Sequence, residues 1–241
     1  MIGLGTIANA LTVIAGGLLG LLLKGGLKQR FQDILMQALG LATVFIGVSG
    51  ALKGMLVIQD GMIGVSGTMM MVISLVLGAL IGEWIDLDSA TERFAGWLKR
   101  KTKAENDSYF IDGFVATSLT ICVGAMAIVG SLEDGLTGNA TMLYTKAILD
   151  GIITLIFASA YGKGAIFSVL PLVALQGSIT AFAQVLQPIL TEQTIANLSF
   201  VGSMLIFCVG TNLMFKTKIK VANLLPALLV VVIYGLLPLH Q

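Results

Sequence analysis

Lys146 and Asp150 stand four residues apart in LYTKAILDGIITLIF, residues Leu143 to Phe157, a stretch otherwise suited to lipid. On a helix that spacing puts both on one face, one turn apart. An Asp near the middle of a membrane helix costs on the order of 2.5–3.5 kcal/mol on insertion scales. Such acids face a bundle interior or a wet cavity and commonly mark ion or substrate paths. The ammonium of Lys146 lowers the cost. Two readings follow: the pair is an ion-coupling or substrate-orienting site, or it only fastens helices together.

Other polar groups extend the first reading. Asn9, Gln37 and Asn212 carry amides on spans whose other faces are apolar, and lipid offers an amide no partner. Interhelical fastening explains each of them as readily as a ligand does. Glu133 and Asp134 at the outer end of one span, with Lys53 and Lys146, would form a polar mouth. For Lys53 and Asp134 a solvated membrane rim is the simpler reading. In FSVLPLVALQGSITAF, Pro171 removes a backbone donor, and Gln176, Gly177, Ser178 and Thr180 follow it. A broken helix carrying polar groups points to a transporter binding site, although membrane helices also tolerate plain kinks. The candidate substrate- or ion-binding set is therefore Asp150, Lys146, Asn9, Gln176, Ser178, Thr180, Thr211, Asn212 and Glu133.

The elements that hold these residues follow from composition. The chain has 241 residues, 56% hydrophobic and only 11% charged, with net charge +1. Mean hydropathy is +0.96. Soluble domains carry about 25% charged residues, so a water-exposed globule lacks the polar surface it needs. Apolar stretches of about 20 residues, the thickness of a bilayer core, recur along the chain. The expected fold is all-α: a polytopic transmembrane helical bundle of about eight spans in a single domain. The 29 glycines suit close helix packing in lipid. Cys122 and Cys208 lack metal-ligand spacing and read as small packing residues.

The spans are placed at Ile2–Leu23, Ile34–Leu52, Met62–Gly82, Tyr109–Leu132, Leu143–Tyr161, Ala165–Leu186, Ala196–Phe215 and Val221–Leu237. This leaves 12 Lys and Arg on one side and only Lys53 and Lys146 on the other. The positive-inside rule then puts both termini outside the cytoplasm. The first apolar run reads as a span and not a removed signal. In the third connection, Ser89-Ala90-Thr91-Glu92 has capping-box spacing. Phe94, Trp97 and Leu98 follow beside Arg93, Lys99, Arg100 and Lys101, the pattern of a helix lying in the headgroup plane.

An internal repeat is visible. Gly5-Thr6, Gly16 and Gly20 recur as Gly67-Thr68, Gly78 and Gly82, and Arg30-Phe31 with Leu35 recurs as Arg93-Phe94 with Leu98. Helix, interfacial helix, helix thus occurs twice, in units 1–55 and 62–135, with 143–237 as a second half. ICVGAM at Ile121 and FCVGTN at Phe207 echo one another on helices expected to run in opposite directions. Inverted relations of that kind occur in transporters.

No Walker loop, HExxH or dinucleotide fingerprint is present, and the lone histidine is His240 near the C-terminus. An enzyme is not expected, nor a metal, a cofactor or a nucleic-acid partner. The expected surroundings are a lipid bilayer and a small-molecule or ion substrate, and small residues on several faces permit a homodimer. GTIANALTVIAGGLLG, ICVGAMAIVGSLEDGLTG, TKAILDGI and FCVGTNLM together resemble the bacterial inner-membrane family called domain of unknown function 554, whose members are described as YqgA-like or YdfK-like. The resemblance covers nearly the full length. It implies a prokaryotic cytoplasmic membrane and a transporter label, but no catalytic residue. The leading expectation is an ion-coupled secondary transporter; the alternatives are a membrane scaffold or signalling protein with structural polar groups, or a passive channel.

Overall fold

Residues 2–24, 29–59, 61–104, 107–122 and 125–236 are described by the computed structural model. The first helices are α1 (Leu4–Lys24) and α2 (Gln29–Met55), followed by a hairpin of β1 (Leu56–Gln59) and β2 (Met62–Val65). Then come α3 (Thr68–Ile85), α4 (Leu87–Lys101), α5 (Phe110–Cys122), α6 (Ala125–Thr137) and α7 (Thr141–Tyr161). A 3-10 turn, Lys163–Ser168, leads into α8 (Val169–Ala181) and the short α9 (Ala183–Leu186). The chain closes with α10 (Glu192–Phe215), a second 3-10 turn (Val221–Leu224) and α11 (Pro226–Leu236).

Five segments are long and apolar enough to cross a bilayer: α1, α3, α7, Lys163–Ala181 and α10. The pair α5 and α6 makes a sixth if counted as one span, bent by 60° at its break. Gly40–Met55 and Val221–Leu236 are apolar but shorter. Length alone thus gives five or six crossings among the described residues, where about eight are expected. The outer faces of these helices are oily: Leu11 is 61% exposed, Leu22 77% and Trp84 88%. Water would not tolerate so much contiguous apolar surface. The protein is a helical membrane bundle.

Glycines let the helices meet backbone to backbone. A Cβ on Gly16 would strike the Gly151 carbonyl, and one on Gly20 the Leu155 carbonyl, so α1 runs parallel to α7 in near contact. Gly40, Gly47 and Gly54 face Met214, Phe207 and Phe200, which sets α2 antiparallel to α10. Gly78 and Gly82 face Ala227 and Asn223, with α3 antiparallel to this last segment. The two glycine pairs of the sequence repeat therefore serve the same purpose with opposite partner directions.

Several expectations need correction. Residues 56–59 and 62–65 pair antiparallel, Leu56 with Val65 and Gln59 with Met62, so the third span begins at Thr68 and not at Met62. Pro171 does not break a helix: it lies in the first turn of α8, where the missing N–H costs little. The large bend lies instead in the fourth span, where Phe110–Cys122 and Met126–Thr137 are inclined by 60°. The sixth span ends at Ala181, and α9 follows after a one-residue turn. Helix α4 begins at Leu87, before the expected capping box, and the Asp88 N–H donates to Asn223 Oδ1 at 2.6 Å. Residues 29–39 continue directly into α2, whereas α4 is a separate helix packed on α5 through Ala95, Leu98 and Phe110. Lys28, Val123, Gly124, Leu237 and His240 lie outside the described residues.

Candidate functional site

The break in the fourth span determines the geometry of the charged pair. A helix ends with carbonyls that no following N–H can satisfy. The Ile121 carbonyl lies in the last described turn of α5, where the span bends, and Lys146 Nζ donates to it at 2.7 Å. The same ammonium donates to Asp150 Oδ1 at 2.7 Å and to Oδ2 at 2.6 Å. From α1, Asn9 Nδ2 donates to Asp150 Oδ2 at 2.8 Å. Three segments, α1, α5 and α7, thus converge on one ion pair. Asp150 is 2% exposed, Lys146 7% and Asn9 0%.

On the helices that carry this cluster, and on α6 and α8, lies hydrogen-bonding capacity that the described residues do not use. Asn9 Oδ1 and the hydroxyls of Thr6, Thr117, Ser131 and Thr154 are buried without a partner among the described residues. Both polar atoms of the Gln176 amide are in the same condition. Elsewhere in the bundle, hydroxyls bond back to their own helix, as Ser118 does to Phe114 and Thr120 to Ala116. By register, Thr154 is one turn past Asp150, Thr6 one turn before Asn9, and Thr117 one turn before Ile121. Gln176 is one turn from Leu172, which packs with Val13 and Ile121, and one turn from Thr180, which donates to the Ser131 carbonyl at 3.1 Å. Buried polar groups in this condition are normally matched by water, an ion or a ligand.

Of the candidate set, the structure brings together Asp150, Lys146 and Asn9. Gln176 and Thr180 lie on α8 beside the break. Ser178 is exposed and bonds only the Leu175 carbonyl. Thr211 donates to the Phe207 carbonyl, and Asn212 organises the loop after α10 through Thr217 and Ile219. Glu133 accepts from Asn139 Nδ2 at the helix end. Asp134 is not on a solvated rim: it is 0% exposed and accepts the Gly3 and Gly5 N–H groups at 3.2 Å each, capping α1 with a negative charge. Sequence reading missed the Ile121 carbonyl and the hydroxyls of Thr6, Thr117, Ser131 and Thr154. Their signal was register, three or four residues from groups already singled out.

Two cavities flank this region. The larger, about 1050 Å³, is lined almost wholly by apolar side chains and includes Pro171 and Cys122. The smaller, about 630 Å³, mixes six charged side chains with apolar ones and reaches Asn212 and Tyr161. Neither Asp150 nor Lys146 lines either one. The pair is enclosed in this conformation. Among the described residues, no cluster of His, Cys, Asp and Glu could hold a metal ion.

Comparison with known proteins agrees with the full-length resemblance. The family model described as "Protein of unknown function (DUF554)" matches residues 4–236. The chain is similar to "Uncharacterized membrane protein YdfK" of Bacillus subtilis (strain 168), 34% identical over 226 residues, covering 94% of this chain and 93% of the relative. It is also similar to "Uncharacterized protein YqgA" of Escherichia coli (strain K12), 30% identical over 230 residues with 94% and 93% covered. No solved structure matches.

Proposed function

The chain belongs to the DUF554 family of membrane proteins, and from that premise we propose that it is a secondary transporter of a small polar solute or cation in a bacterial cytoplasmic membrane. In this reading it is not an enzyme, and its termini face away from the cytoplasm. The observation that carries the reading is the buried Lys146–Asp150 pair, tied to a broken span and bordered by unpaired polar atoms. Each charge costs roughly 2.5–3.5 kcal/mol to place at such depth, and pure fastening could use neutral groups. The enclosed conformation is then an occluded state. Opening would transfer Ile121, Asn9 or Asp150 contacts to solute, with Thr154 and Gln176 supplying neutral ligands. No nucleotide-binding motif is present in the sequence, so an ion gradient supplies the energy.

One observation favours a second reading. The three protons of the Lys146 ammonium are all matched, two by Asp150 and one by Ile121. A pair so fully satisfied also works as a permanent clasp between α1, α5 and α7. The experiment that separates the two uses proteoliposomes under an imposed membrane potential, with H+ and Na+ as the two probe ions. Transport predicts flux of one of them in the wild type and its loss in Asp150→Asn, read on variant protein that is folded after reconstitution although the unpaired Lys146 lowers its thermal stability. Equal flux in wild type and variant, or flux of neither ion, would sink the transport reading and leave the clasp.

A further inference from the structure

The two cavities adjoin, and their linings have complementary chemistry. Thr91 and Val115 line both. On one side of them, Phe94, Ile128, Ala174, Leu175, Leu198 and Val232 line the apolar cavity, which is partly open. At about 1050 Å³ it reaches the upper end of the roughly 300–1,000 Å³ common for ligand pockets, so its occupant is large. On the other side, Asp88, Glu92, Asp112, Lys216, Lys218 and Lys220 line the smaller cavity. Helix α4 straddles the junction: Ala90 and Phe94 face the apolar space, Asp88 and Glu92 the charged one.

The charges are not all spent within the protein. Lys220 is bound to Glu83 at 2.6 Å. Lys216, Lys218, Glu92 and Asp112 make no hydrogen bond or ion pair among the described residues. Free cations and free carboxylates around one cavity complement a headgroup that carries both an anion and a cation. An apolar chamber next to that cavity complements a tail. We propose that the protein holds one zwitterionic phospholipid here, its acyl chains in the apolar cavity, its phosphate against Lys216 and Lys218, and its ammonium toward Glu92 and Asp112. The site is separate from the Asp150 cluster and does not rest on the transport reading.

The test holds purified protein in mixed micelles of phosphatidylethanolamine and phosphatidylglycerol in equal amounts and counts retained lipid by native mass spectrometry. One phosphatidylethanolamine per chain is expected. The double variant Lys216→Gln/Lys218→Gln removes the phosphate contacts and should lower occupancy about tenfold or more. Ala174→Trp fills the tail chamber and should do the same at matched thermal stability; Ala174→Phe replaces it if the larger ring prevents folding. Phosphatidylglycerol retained as well as phosphatidylethanolamine would overturn the proposal. So would lipid retention that neither class of variant changes, or displacement of the lipid by millimolar inorganic phosphate.

Discussion

Lys146 meets both carboxylate oxygens of Asp150 across one turn of α7, at 2.7 and 2.6 Å, where the two side chains are almost wholly buried. Removing one member of such a pair leaves an uncompensated charge, whereas removing both leaves none. Lys146→Met alone should therefore destabilise the protein by about 3–5 kcal/mol. The double variant Lys146→Met/Asp150→Leu should recover much of that loss. Thermal unfolding in one detergent across the cycle measures the coupling, and additive single losses would mean the pair is not coupled.

Close contact between α1 and α7 depends on Gly16, whose Cβ position is occupied by the backbone of Gly151. Backbone cannot give way as a flexible side chain can. Gly16→Ala is expected to cost about 1–3 kcal/mol. Gly177→Ala is the control: nothing lies within 4 Å of its Cβ position on α8, so it should be neutral or stabilising by up to about 1 kcal/mol. Melting temperatures of the two variants read the contrast directly.

Asp134 supplies the acceptors for two N–H groups at the start of α1. Asp134→Ala leaves both without a partner and should lose about 0.5–2 kcal/mol. Hydrogen exchange at Gly5 should accelerate with it, while exchange in α10 stays unchanged.

At the lysine-bearing face, the hydrogen bond that Lys220 donates to the Glu83 carboxylate raises the Lys220 pKa above its ordinary 10.5, with nearby Asp86 and Asp88 adding to the shift. A raised folded-state value means the contribution is fully present below the unfolded pKa and is lost as pH climbs through the folded one. Stability should thus be flat near neutrality in this respect and decline in strong alkali. The pair is exposed, so added salt should weaken it. Lys220→Gln should abolish that part of the alkaline decline, which pH-dependent melting with and without salt would show.

Much of this arrangement was legible in the residues because it follows from local patterns. Apolar runs, the four-residue step from Lys146 to Asp150, and the recurring Gly16/Gly20 and Gly78/Gly82 are one-dimensional signals. The pairing of Asn9 with Asp150 joins residues 141 apart, and no local rule foretells it. Pro171 misled because proline is a strong breaker inside a helix but a mild one in its first turn, and only the structure places the start of α8 at Val169. Asp134 misled for a related reason. A carboxylate near a span end reads as solvated until the N-terminus of α1 is seen beside it. The hairpin at 56–65 was hidden by the apolar character of Ile58, Met62 and Ile63, which reads equally as the start of a span.

The most direct measurement asks whether water reaches the groups next to the pair. Thr154→Cys, in a background with Cys122→Ala and Cys208→Ala, can be treated with a membrane-impermeant thiol reagent in right-side-out and inside-out vesicles. Transport by opening of the enclosed state predicts labelling from at least one face, with a rate that changes when an ion gradient is imposed. A thiol that stays unlabelled from both faces under every gradient would mean that the Lys146–Asp150 pair never meets solvent, and the transport reading would fall.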